Sequence, residues 1–83
     1  MLNVTLYGAS SCRRYQKMRQ RVLDEAKRLN LPVQLDEVSE TAQLVQFSPL
    51  SLPRLYINGH LAASQNPPSA EQIATWLREE KAS

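Results

Sequence analysis

Apolar and polar positions alternate at the start of the chain, with Leu2, Val4 and Leu6 separated by Asn3 and Thr5. A period of two marks a strand with one face turned to a core, so residues 2–7 predict a first, central strand. The period then changes. From Cys12 to Asn30 the apolar residues Tyr15, Met18, Val22, Ala26 and Leu29 recur at spacings of three and four. That is the stripe of an amphipathic helix about five turns long. Asn30 can take the left-handed cap conformation, and Pro32 stops the helix from continuing. Val33, Leu35 and Val38 mark a second strand over 33–38. Two strands joined by a long helix form a βαβ unit, which predicts parallel pairing and a right-handed crossover.

Ser39 or Thr41 is placed to cap a short helix running to about Phe47, with Leu44, Val45 and Phe47 available for packing. Two prolines in Ser48-Pro49-Leu50-Ser51-Leu52-Pro53 then demand a structured loop. Arg54-Leu55-Tyr56-Ile57 and Leu61-Ala62-Ala63-Ser64 flank Asn58-Gly59, a strong hairpin signal, so the third and fourth strands are antiparallel. A last helix starts at Ser69, with Gln72 completing a capping box and Ile73, Trp76 and Leu77 forming its core stripe. The order is β-α-β-α-β-β-α. It predicts one α/β domain over 1–83, with a mixed four-stranded sheet and helices on both faces.

Composition narrows the possible chemistry. Seven of the ten basic residues (Arg13, Arg14, Lys17, Arg19, Arg21, Lys27 and Arg28) lie in the first helix, against Asp24 and Glu25. Aromatic residues do not interleave with these charges to stack bases, so a solvated helix face is expected and no nucleic-acid partner. A single cysteine excludes an internal disulfide, and His60 as the one histidine leaves too few ligands for a zinc site. No cofactor is implied. No apolar run approaches the roughly 18 residues of a membrane span, and no signal peptide is read before the first strand. A monomer or weak dimer in a reducing compartment, the cytoplasm, is the expectation.

The candidate chemistry sits at the junction Tyr7-Gly8-Ala9-Ser10-Ser11-Cys12. Free N–H groups and the positive end of the helix dipole favour a thiolate there, and Arg13 and Arg14 push the same way. A phosphatase loop needs an arginine six positions after its cysteine, but position 18 is Met and the arginine is Arg19. The two glycines, Gly8 and Gly59, make no phosphate-cradling motif. Arg54 is open to two readings, either facing Cys12 or pointing outward from its strand. Tyr15 fits the first apolar position of the helix stripe, Trp76 reads as core, and His60 as solvated.

The apolar strand ending in Tyr7-Gly8, Cys12 at the helix start, Ser51-Leu52-Pro53, Ile57-Asn58-Gly59 and Pro68-Ser69 with its final helix together resemble one family. It is that of the small thioredoxin-like redox proteins, glutaredoxin-sized thioredoxin folds often called redox-active disulfide proteins. The resemblance spans roughly residues 3–77. It implies a thioredoxin-like fold, Cys12 in the place of the attacking cysteine, and Pro53 in the place of a cis-proline beside the site. It also implies a substrate groove at Leu52, Pro53, Arg54 and Tyr15, with the backbone of Leu52 pairing an extended substrate. The chain departs from the pattern where Cys12-Arg13-Arg14-Tyr15 replaces C-x-x-C and where Leu52 replaces a threonine. The turn before the cysteine is one residue longer, and no glutathione clamp is present.

Two functions follow as expectations. The first is monothiol exchange at Cys12 with a protein or low-molecular-weight thiol or disulfide, in cell redox homeostasis. The second is a redox-inactive binding module that uses the groove beside Pro53.

Overall fold

The computed structural model describes residues 1–82. Strand β1 (Leu2–Tyr7) leads into helix α1 (Arg13–Arg28), strand β2 (Val33–Val38) and a one-turn helix α2 (Thr41–Leu44). A 3₁₀ turn at Pro49–Ser51 precedes strands β3 (Arg54–Ile57) and β4 (His60–Ser64), and helix α3 (Ala70–Ala82) ends the fold. The sheet order is β2-β1-β3-β4. β1 pairs with β2 in parallel and with β3 antiparallel, and β3 pairs antiparallel with β4. This is the α/β architecture that the hydrophobic pattern predicts, with a mixed four-stranded sheet.

Alternation sorts the strand residues onto two faces. Leu2, Val4 and Leu6 of β1 and Leu55 and Ile57 of β3 are buried together. Tyr15, Met18, Val22 and Ala26 of α1 and Ile73 and Leu77 of α3 close over them in one cluster. Both long helices therefore share a face of the sheet. Each fully buried aliphatic side chain contributes about 1.5–3 kcal/mol, so this layer supplies most of the driving force for folding. On the opposite face, Tyr7 meets Phe47 edge-to-face at 5.0 Å and Tyr56 at 5.5 Å. The segment carrying α2 and the 3₁₀ turn comes over that face through Phe47.

Local signals account for the joins. Asn30 takes φ +56°, with Leu31 N donating to Ala26 O and Asn30 N to Lys27 O, so a left-handed residue closes α1. Asn58 (φ +49°) and Gly59 (φ +84°) form the hairpin turn. Asn58 Oδ1 accepts from Asn3 N at 2.9 Å, which ties that turn to β1. Ser69 Oγ accepts from Gln72 N at 3.1 Å and caps α3.

Two expectations need correction. The short helix is a single turn whose N-cap is Glu40, without a side-chain cap bond, rather than Ser39 or Thr41. It stops at Leu44 because its apolar residues reach no buried surface: Val45 is 73% exposed, and no residue of α2 is buried. Trp76 is half-buried rather than core, packed on the margin of the cluster.

Candidate functional site

β1 delivers the chain to the site end of the sheet. Gly8 is buried, and its N–H donates to Val38 O at 3.1 Å, prolonging the β1–β2 ladder by one step. A Cβ on Gly8 would stand 2.8 Å from Tyr15 Cδ2 and 3.1 Å from Pro53 Cβ. Only a residue without a side chain lets β1, the start of α1 and the Pro53 loop meet here. The next turn closes through Cys12 N donating to Ala9 O at 3.0 Å, and Gln16 Nε2 holds it from the other side at Ser10 O.

Cys12 is the N-cap of α1, with extended φ −74° and ψ 129°, and its carbonyl accepts the first helical bond from Gln16 N. Its side chain makes no cap hydrogen bond, is partly exposed, and rests against the margin of the core. Arg13 and Arg14 follow as exposed residues, and the first turn of α1 holds no acid. That is the reverse of the charge order a helix dipole favours.

Tyr15 takes the place in the apolar stripe that its spacing predicts, and not the groove-lining place that the resemblance implies. Its side chain is 2% exposed, behind Gly8 and Pro53, so it packs beneath the groove instead of lining it. The driving force is its place in the α1 stripe, which points it at the sheet. Its hydroxyl donates to Glu37 Oε1 at 2.7 Å, and Arg19 Nε donates to the same oxygen at 3.0 Å. Burial, reinforced by the bond to Glu37, pushes the Tyr15 phenol well above the ordinary tyrosine range. The Tyr15 hydrogen bond, helped by Arg19, holds the Glu37 carboxyl below its ordinary value. Glu37 and Arg19 escape the motif reading. The available signal is the alternation Val33, Leu35, Glu37, which puts a carboxylate at a position facing the helices.

The Leu52–Pro53 peptide bond is cis, and Pro53 is buried while Leu52 is half-buried. Gln65 N donates to Pro53 O at 3.0 Å, and Ser64 Oγ donates to Ser51 O at 2.7 Å, so the end of β4 braces this loop. Arg54 is directed away from the helices, which resolves its two readings. Its Nε donates to Ser51 Oγ, its Nη1 to Tyr56 Oη at 3.0 Å, and its guanidinium lies 4.6 Å from the Phe47 ring centroid. Beside Leu52, an open apolar groove of about 320 Å³ is lined by Thr41, Leu44, Val45, Phe47 and Pro49.

The structure thus brings Gly8, Cys12 and Pro53 to one end of the sheet and leaves Tyr15 underneath. Among the described residues no three His, Cys, Asp or Glu side chains gather as a metal site. No helix of the described residues is long and apolar enough to cross a membrane.

The family model for a thioredoxin domain matches residues 2–78. The chain belongs to the thioredoxin-domain family. Solved structures of similar fold include an arsenical resistance operon trans-acting repressor from Bacteroides vulgatus, 20% identical over 92% of both chains, with a TM-score of 0.56. Glutaredoxin 1 from Francisella tularensis, solved in complex with cacodylate, is 12% identical over 100% of both chains, with a TM-score of 0.53. Similarity at these identities concerns the fold. No curated protein matches the sequence. In this thioredoxin domain the position three residues after Cys12 is thus filled by a buried, hydrogen-bonded tyrosine.

Proposed function

We propose that this thioredoxin domain carries out monothiol thiol–disulfide exchange at Cys12, as part of redox homeostasis in a reducing compartment such as the cytoplasm. The observation that carries the reading is the N-cap position of Cys12. It is partly exposed, free of a cap hydrogen bond, and at the end of the sheet where Pro53 packs against Gly8. In the reaction the Cys12 thiolate attacks one sulfur of a substrate disulfide. A new S–S bond forms to Cys12 as the old one breaks, and the other substrate sulfur leaves as a thiolate. An external thiol, as its thiolate, then attacks the mixed disulfide and releases Cys12 as a thiolate, the thiol being oxidised in the process. Tyr15 supplies no sulfur, so the second step cannot be internal. The test is intact-mass measurement after incubation with oxidised glutathione and with a protein disulfide. A mixed-disulfide adduct that disappears in Cys12→Ser is expected, and its absence with both partners overturns the reading.

A second reading is a binding module without redox activity. The apolar groove beside Leu52, which Val45 lines at 73% exposure, favours it. An extended peptide would pair with the Leu52 backbone and set apolar side chains in that groove. Cys12→Ser separates the two: partner affinity survives the substitution in a binding module, while exchange does not survive it in a thiol enzyme.

A further inference from the structure

The seven basic residues of α1 divide into two groups. Arg19 is held by Glu37, Arg28 by Glu25 at 2.7 Å, and Arg21 by the Pro68 carbonyl at 2.7 Å. Arg13, Arg14, Lys17 and Lys27 have no partner among the described residues, and the first three of these fall in the first turn and a half of the helix. All three are exposed. The acids of α1 begin only at Asp24, which accepts from Gln20, and at Glu25, which is engaged by Arg28. Three of the four unpartnered cations of the helix therefore stand at its Cys12 end.

This arrangement works against the helix. Cations at a helix N-terminus oppose the dipole, and acids in the first turn would favour it. Structural needs are met by Arg19, Arg21 and Arg28, each of which holds another group in place. Among the described residues, Arg13, Arg14 and Lys17 hold nothing of their own chain.

We infer that the Arg13–Arg14–Lys17 patch selects anionic disulfides as the substrates of Cys12. This inference rests on the exchange reading above and adds the substrate class. A disulfide bearing carboxylates near its sulfurs, whether a small molecule or an acidic peptide, is concentrated at the patch before attack. A cationic disulfide is repelled. Cys12 attacks one sulfur, the other leaves as a thiolate, and the cations act on the substrate's charge before that step. Such an effect differs from stabilisation of the Cys12 thiolate, which would accelerate attack on every disulfide alike.

The test compares rates of the full chain with those of 2-mercaptoethanol, so that differences in reagent reactivity cancel. Cys12 is first alkylated with anionic iodoacetate and neutral iodoacetamide, which reads the patch without any disulfide. It is then reacted with dithiodipropionate, hydroxyethyl disulfide and cystamine, whose charges are negative, zero and positive. In dilute buffer, where screening extends over roughly 30 Å, the anionic reagent of each set is expected to gain about three- to tenfold over the neutral one. The gain is expected to vanish in about 0.5 M salt, where the screening length is roughly 4 Å. It is also expected to vanish in Arg13→Gln/Arg14→Gln/Lys17→Gln. Peptide disulfides with glutamates or lysines beside the cysteine tell an acidic peptide source from a small one, by whether the glutamate peptide exceeds dithiodipropionate. Equal normalised rates for iodoacetate and iodoacetamide overturn the patch. A retained iodoacetate preference with no reaction towards any disulfide leaves the anion-attracting patch standing, and overturns both the exchange reading and the substrate class that rests on it.

Discussion

The Tyr15 hydroxyl and the Glu37 carboxylate meet at 2.7 Å, joining the first turn of α1 to the end of β2 across 22 residues of chain. Arg19, one turn further along α1, donates to the same carboxylate oxygen. At the position three residues after Cys12 the chain places a fastening between helix and edge strand. Tyr15→Phe keeps the ring and removes that bond, so a loss of about 1 kcal/mol is expected. In a domain of this size it reads as a fall in melting temperature of roughly 4–8 °C. Tyr15→Ala also empties the space behind Gly8 and Pro53, and a loss of about 3–5 kcal/mol is expected in urea unfolding. Equal losses for the two variants would show that the ring contributes nothing.

The same pair sets a pH dependence with two limbs. Glu37 is held below its ordinary carboxyl value by the Tyr15 hydrogen bond and by Arg19, so the unfolded chain binds more protons than the folded one as pH falls. Its contribution is complete above the unfolded value of 4.5 and is lost as pH falls through the lower, folded one. Tyr15 runs the other way. Burial and the bond to Glu37 raise its phenol above the ordinary 10.0, so its contribution is complete below that pH and declines as pH rises past it. Denaturant midpoints measured across the acid range in wild type and Glu37→Gln check the first limb. Wild type is expected to lose stability more steeply. Tyr15→Phe checks the second, with a flatter alkaline limb expected.

The two glycines respond to alanine for different reasons. At Gly8 the new methyl would meet Tyr15 at 2.8 Å and Pro53 at 3.1 Å, and neither buried ring can swing aside. An overpacking cost of about 1–3 kcal/mol is expected, with the Cys12 turn displaced. At Gly59 nothing lies within 4 Å, but φ is +84°, so the cost is backbone strain of about 1–2 kcal/mol. Exchange at Cys12 distinguishes them: Gly8→Ala is expected to slow it, and Gly59→Ala to leave it unchanged at temperatures where the protein stays folded.

Arg54 fastens the loop that carries Pro53, through Ser51 Oγ and Tyr56 Oη and by lying over Phe47. Arg54→Met retains length but drops the bonds and the charge, and a loss of about 1–2 kcal/mol is expected from thermal unfolding. Because the guanidinium faces away from α1, the rate of Cys12 alkylation is expected to stay within about twofold of wild type. A larger fall would place Arg54 in the electrostatics of the thiol.

The strands and the two long helices were legible because their signals are local. Alternation of Leu2, Val4 and Leu6 marks β1, the stripe through Tyr15, Met18 and Val22 marks α1, and Asn58-Gly59 marks the hairpin. The placing of Cys12 at a helix start is local too, and it holds. What local pattern could not supply was the far end of a side chain. Tyr15 belongs to the apolar stripe, yet its hydroxyl lands on a residue 22 positions away, and only the assembled sheet brings Glu37 there. Arg54 has the same character, since its direction depends on Phe47 crossing the opposite face. The extent of α2 was misjudged for a further reason. Its apolar residues look like a packing stripe, but at Leu44 and Val45 the chain lies over a groove, not over a core.

Glu37 also decides how β2 may lie. It stands level with Leu6, while Val33 and Leu35 stand level with Leu2 and Val4. Sliding β2 by one residue would turn Val33 and Leu35 to solvent and aim Gln34 and Asp36 at the helices. Sliding it by two would keep its apolar residues inward but carry the carboxylate out of reach of Tyr15 and Arg19. On an edge strand, where pairing is least constrained, a single charged residue thus works like the tooth of a key: one alignment turns the lock, and its neighbours jam.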